Sequence, residues 1–142
     1  MDYMKRALEL AREALALSSP NPPVGAVVVK DGRIVGEGHT LPPGQAHAEV
    51  IALRQAGDRA KGAALYNTLE PGCHFDKTPP GTRDIIQAGI AQVHIAIIDP
   101  KPLVNGKGMA KLKDAGINIY LNEDGEEASE IAEAYMKFVT IG

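Results

Sequence analysis

Tryptophan is absent, phenylalanine occurs twice, and with four tyrosines the aromatic share is 4%. So few rings offer little for bases to stack on, which argues against a single-strand nucleic-acid binder. Nor is there an excess of basic charge. Fifteen Lys and Arg stand against 18 Asp and Glu, a net charge of −3, without the basic stripe that tracks a phosphate backbone. The single cysteine, Cys73, excludes an internal disulfide and fits a reducing compartment. No apolar run approaches the roughly 18 residues that cross a bilayer. The N-terminal stretch MDYMKRALELAREALAL is charged throughout and amphipathic, unlike a secretory signal. The expectation is a soluble, cytoplasmic protein with no nucleic-acid and no membrane partner.

What is present suffices for one folded unit. A chain of 142 residues, 44% hydrophobic and 23% charged, buries about two-thirds of its unfolded surface as a single domain. Fifteen Gly and ten Pro imply many tight turns without reaching low complexity. Met4, Ala7, Leu8, Ala11, Ala14 and Leu15 recur at helical spacing and predict an amphipathic helix over 2–17, stopped by Ser18-Ser19-Pro20-Asn21-Pro22-Pro23. Val24 to Val29 is almost wholly apolar, which suits a strand buried on both faces. Asp31-Gly32 turns it back into Arg33-Ile34-Val35 as a hairpin. A loop over 41–45 leads to a second helix from about 46 to 56, closed by Gly57.

The remainder alternates: strand 63–69, loop 70–79, helix 80–88, strand 93–98, loop 99–106, helix 107–115, strand 117–121 and helix 126–139. A hairpin followed by strand-helix-strand units predicts an α/β three-layer sandwich: a mixed five-stranded sheet with helices on both faces. Residues 1–142 read as one domain without an internal repeat or a dividing linker. In such sheets ligands gather at the carboxyl ends of strands, so the loops 18–23, 39–47, 70–81 and 99–106 are the candidates.

His47-Ala48-Glu49 opens the second helix, where free N–H groups and the helix dipole favour negative charge. His-x-Glu, then a strand and Leu69-Glu70-Pro71, matches the opening of a zinc deaminase signature. There the His binds zinc, two Cys complete the site, and the Glu shuttles protons without touching the metal. Several further motifs follow in order: Asn21-Pro22-Pro23-Val24-Gly25, Lys30-Asp31-Gly32, Ile34-Val35-Gly36-Glu37-Gly38, Thr68-Leu69-Glu70-Pro71, Thr78-Pro79-Pro80, Asp99-Pro100 and Gly106-x-Gly108. On these, nearly the whole chain resembles the deaminase domain of the bifunctional riboflavin-biosynthesis deaminase/reductase, in the cytidine deaminase superfamily. The resemblance implies a cytidine deaminase-like fold. It also implies a small-molecule partner: a phosphoribosylated aminopyrimidine, deaminated on the way to flavin. The chain ends where the reductase of that family would begin, so a single deaminase-like domain is expected, with a separate reductase as a partner. Pairing of family members through the apolar surface beside the sheet implies a homo-oligomer.

One departure from the family pattern changes the chemistry. The family has Cys directly after Glu-Pro and directly after Thr-Pro-Pro; here Gly72 and Gly81 stand at those positions. A catalytic zinc takes three protein ligands and a water, so the expectation is no metal and no other cofactor. Cys73 lies one residue past the first of these positions. With His74 it would have to build a rearranged zinc site, which adjacent residues do poorly. Cys73 otherwise reads as a free loop thiol, or as a nucleophile beside His74 forming a covalent intermediate on an amidine carbon.

By the same resemblance, Asn21 would hold the pyrimidine ring and Glu49 would sit under the reacting atom. His74, Lys77, Thr78 and Asp99 would line the substrate pocket, Lys77 and Thr78 near the sugar phosphate, where a charge and a short hydroxyl serve. Lys101 stands where relatives often have Asn and adds charge there. The candidate catalytic set is Glu49, His47, His74 and Cys73; the candidate substrate set is Asn21, Lys77, Thr78, Asp99 and Lys101. His39 reads as a residue at the pocket mouth or on the surface, His94 as a structural residue in a buried strand. Three functions stay open: an enzyme acting on a C–N bond without zinc, with Glu49 as proton shuttle; a non-catalytic pseudoenzyme or scaffold; and the riboflavin-pathway deaminase in a zinc-ligand-substituted or rearranged form.

Overall fold

The computed structural model describes residues 2–15, 23–42, 45–72, 81–98, 106–121 and 125–141. The elements are α1 (Tyr3–Ala14), β1 (Gly25–Lys30), β2 (Arg33–His39), α2 (Ala48–Ala56), a short 3-10 turn (Gly57–Ala60), β3 (Ala64–Leu69), α3 (Gly81–Ala88), β4 (Gln92–Ile97), α4 (Lys107–Asp114), β5 (Asn118–Leu121) and α5 (Gly125–Ile141). Asp2 caps α1, its carboxylate accepting the Lys5 N–H at 3.1 Å. Every element read from the sequence is present; the 3-10 turn was not foreseen.

The strands form one sheet in the order β2-β1-β3-β4-β5. β1 runs antiparallel to β2 and β3, while β3, β4 and β5 are parallel. This is the expected mixed five-stranded α/β sheet. Side chains alternate across it as strand pleating requires. Ala26, Val28, Leu65, Val93 and Ile95 pack in the cluster that includes α2, α3 and α4 residues. Val27, Val29 and Ala96 pack with α1 and α5. β1 therefore contributes to both layers and is buried at five of its six positions.

β2 runs from Arg33-Ile34-Val35 on through Gly36-Glu37-Gly38 to His39. A Cβ on Gly36 would fall on the Ala52 carbonyl oxygen, and one on Gly38 on that of Ala48. The glycines are there so that α2 can lie directly on the strand, as glycine within strands often allows. Asp31 (φ 52°) and Gly32 (φ 74°) form the hairpin turn, the two left-handed positions of a type I′ turn. One residue further, the register slips between Val28 and Val29.

The register also locates the working end. Gly25 pairs with His39, and Ala26 with Asn67. The start of β1, the end of β2 and the carboxyl ends of β3 and β4 thus share one rim. The described segments next to those strand ends, residues 23–24, 40–42, 70–72 and 98, leave from this rim.

Candidate functional site

His47 is the N-cap of α2 rather than part of its first turn. Its backbone is extended and its side chain makes no capping hydrogen bond. Glu49 follows in the first turn with 4% of its surface exposed. The His47 Nδ1 lies 3.6 Å from the Glu49 Oε1, with the imidazole 43% exposed. The arrangement is a carboxylate withdrawn from water beside a half-exposed imidazole, at the positive end of a helix dipole. Such a pair can accept, hold and return a proton.

The floor comes from β3. The Gly25 N–H donates to the Thr68 Oγ1 at 3.1 Å, and the Glu70 N–H to the Ile97 carbonyl at 3.0 Å. Past the strand, the Gly72 carbonyl accepts the Thr82 N–H at 3.2 Å, tying the loop to the first turn of α3. Among the described residues a Cβ on Gly72 would meet nothing within 4 Å, whereas one on Gly81 would fall on the Glu49 Oε1.

Glu70 does more than its place in the motif indicated. Its buried carboxylate accepts the Gly106 N–H at 2.8 Å and the Met109 N–H at 3.1 Å. It thereby caps α4 from the end of β3. Two buried polar atoms among the described residues have no partner: the Asn67 Oδ1 and the Thr82 Oγ1. Asn67 donates its Nδ2 to the Leu69 carbonyl at 2.8 Å, which fixes the amide orientation. An asparagine inside the run Ala64–Leu69 was the available signal for it.

Of the candidate residues, the structure brings together His47 and Glu49. Asn21, Cys73, His74, Lys77, Thr78, Asp99 and Lys101 lie outside the described residues. His39 is the last residue of β2 rather than a residue after it, its Nδ1 3.1 Å from the Thr40 carbonyl oxygen. His94 is structural: 8% exposed, its Nε2 2.8 Å from the Gln92 Oε1, its ring stacked between Tyr66 and Tyr120. Among the described residues no three or more His, Cys, Asp or Glu side chains are grouped to hold a metal ion. Glycines 72 and 81 contribute no donor, so the described side chains do not fit a catalytic zinc with three protein ligands. No helix among the described residues is long and apolar enough to cross a membrane.

Residues 1–97 match the family model of the cytidine and deoxycytidylate deaminase zinc-binding region. The riboflavin biosynthesis protein RibD of Aquifex aeolicus is 52% identical over 139 residues, 98% of this chain and 39% of that protein. A diaminohydroxyphosphoribosylamino-pyrimidine deaminase from Buchnera aphidicola is 43% identical over 140 residues, 99% of this chain and 95% of that one. The solved structure of Acinetobacter baumannii RibD superposes with a TM-score of 0.91 at 44% identity, over 95% of this chain and 38% of that one. The chain belongs to the cytidine and deoxycytidylate deaminase family and, within it, to the riboflavin-biosynthesis deaminases. It spans about two-fifths of the length of the RibD relatives it matches, 39% in the Aquifex case.

Proposed function

We propose that this protein binds a phosphoribosylated aminopyrimidine of the riboflavin pathway and hydrolyses a C–N bond in it with Glu49 as proton shuttle, without a catalytic zinc. The observation that carries this reading is the buried Glu49 beside His47, in a rim where residues 72 and 81 are glycine. Relatives named as deaminases of such a pyrimidine supply the substrate class.

Hydrolysis balances without a further reactant. Water adds its oxygen to the amino-bearing carbon, the C–N bond breaks, and ammonia leaves. Glu49 accepts the proton that water loses and delivers it to the departing nitrogen. A zinc lowers the pKa of bound water to about 7, whereas a positioned base supplies about 10²–10⁴-fold. Turnover should therefore be slow. Asn21, His74, Lys77, Thr78, Asp99 and Lys101 are proposed to hold the ring, ribose and phosphate, and Cys73 to be a bystander thiol. Residues 1–142 are proposed to work as one unit that self-associates in the cytoplasm, its product passing to a separate reductase.

The test uses diaminohydroxyphosphoribosylaminopyrimidine as the probe, with thermal-shift binding and ammonia release read on the wild type and on Glu49→Gln. Binding in both, with ammonia from the wild type alone, supports the proposal. Binding without ammonia from either protein assigns a pseudoenzyme instead.

A further inference from the structure

We infer that Gly81 sets the position of the Glu49 carboxylate, so that any side chain at 81 and the present Glu49 conformation exclude one another. The catalytic consequence rests on the function proposed above; the geometry does not.

A Cβ on Gly81 would fall on the Glu49 Oε1 and lie 2.9 Å from Cδ and 3.3 Å from Cγ. The carboxyl end of one side chain thus runs through the volume that a residue-81 side chain would fill. Nothing in the backbone asks for glycine there. Gly81 is the first residue of α3 and is not among the glycines with positive φ. In a helix glycine is a poorer former than alanine. The space a side chain would take is instead filled by Glu49. Gly72, the other glycine of the pair, has nothing among the described residues within 4 Å of its would-be Cβ, so among these residues crowding singles out residue 81.

The same oxygen faces both neighbours: Oε1 meets the would-be Cβ at 81 and lies 3.6 Å from the His47 Nδ1. A side chain at 81 therefore has to move the oxygen that faces the imidazole. The atoms in the way are the far end of a flexible side chain that can turn aside, but with Glu49 only 4% exposed its new place lies among buried neighbours. Gly81 acts as a positioning residue, through Glu49.

The experiment is a double-mutant cycle of wild type, Gly81→Ala, Glu49→Ala and the double variant, followed by urea unfolding. Gly81→Ala lowers the folding equilibrium constant roughly tenfold beside Glu49. It leaves that constant unchanged, or raises it, where residue 49 is alanine. Should Gly81→Ala alone fail to fold, recovery in the double variant reports the same coupling. Equal losses in both backgrounds overturn the inference. A second readout separates positioning from bulk stability. On diaminohydroxyphosphoribosylaminopyrimidine, Gly81→Ala lowers kcat for ammonia release with KM unchanged, and an unchanged kcat counts against the inference. A wild type that releases no ammonia defeats the proposed function, while the cycle still decides the role of Gly81.

Discussion

Replacing Glu70 by alanine removes a carboxylate that joins two of the loops at the working rim. Its oxygens accept the Gly106 N–H at 2.8 Å and the Met109 N–H at 3.1 Å. With only 2% of the residue exposed, water does not replace it freely. Hydrogen bonds to a charged acceptor contribute about 1.5–3 kcal/mol each, and loss of a helix N-cap about 0.5–2 kcal/mol. These overlap rather than add, because the same N–H groups are counted in both, so the expected loss is about 2–4 kcal/mol. At a urea slope near 2 kcal/mol per molar, the unfolding midpoint falls by about 1–2 M. Glu70→Gln keeps one acceptor oxygen but turns an NH2 toward the other donor, and should lose about half as much. Amide exchange should speed up first at the start of α4, where the freed N–H groups lie. A midpoint within about 0.3 M of wild type for Glu70→Ala, at unchanged slope, would refute the clamp.

Three further outcomes are expected. Gly36→Ala places a Cβ on the Ala52 carbonyl oxygen and 3.0 Å from the Ala56 nitrogen, backbone atoms that yield only if α2 shifts. It should destabilise by about 1–3 kcal/mol in urea unfolding, whereas Gly72→Ala, which meets none of the described residues, should be near neutral. His94→Ala breaks a stack with ring centroids 4.1 Å from Tyr66 and 4.8 Å from Tyr120. A loss of about 1–3 kcal/mol and a reduced near-ultraviolet tyrosine signal are expected. Arg6 holds Glu37 through Nε at 2.7 Å and Nη2 at 3.1 Å. That hydrogen bond, chiefly, raises the guanidinium further above its already high ordinary pKa. A raised group contributes its stability below its unfolded pKa and loses it only as pH climbs through the folded one. The small effect of Arg6→Ala, about 1 kcal/mol or less at this partly exposed pair, should therefore be the same at pH 6 and pH 8.

The sequence made the layer order legible because its apolar patterns are strong. Met4 to Leu15 repeats with helical period, and Val27 to Val29 and Val93 to Ala96 are buried strand runs. It was silent where a residue serves a distant neighbour. Nothing local to Gly36 and Gly38 shows that in space they are the floor under α2. Only the packed helix explains them. His47 and Glu49 were legible as a pair from the His-x-Glu motif at a helix start, and they lie 3.6 Å apart. Glu70 was visible as part of a motif, but its hold on Gly106 and Met109 spans 36 and 39 residues of chain. Likewise nothing local to Gly81 indicates that its missing side chain is filled by Glu49.

The central claim is that this deaminase fold works without a bound zinc, and metal content tests it most directly. Elemental mass spectrometry would be run after zinc exposure and dialysis on the wild type, His47→Ala and Gly72→Cys/Gly81→Cys. The account predicts far less than one zinc per chain in the wild type and close to one in the double-cysteine variant, where three protein ligands would again be available. About one zinc per wild-type chain, lost in His47→Ala, would contradict it and assign a metal site with rearranged ligands.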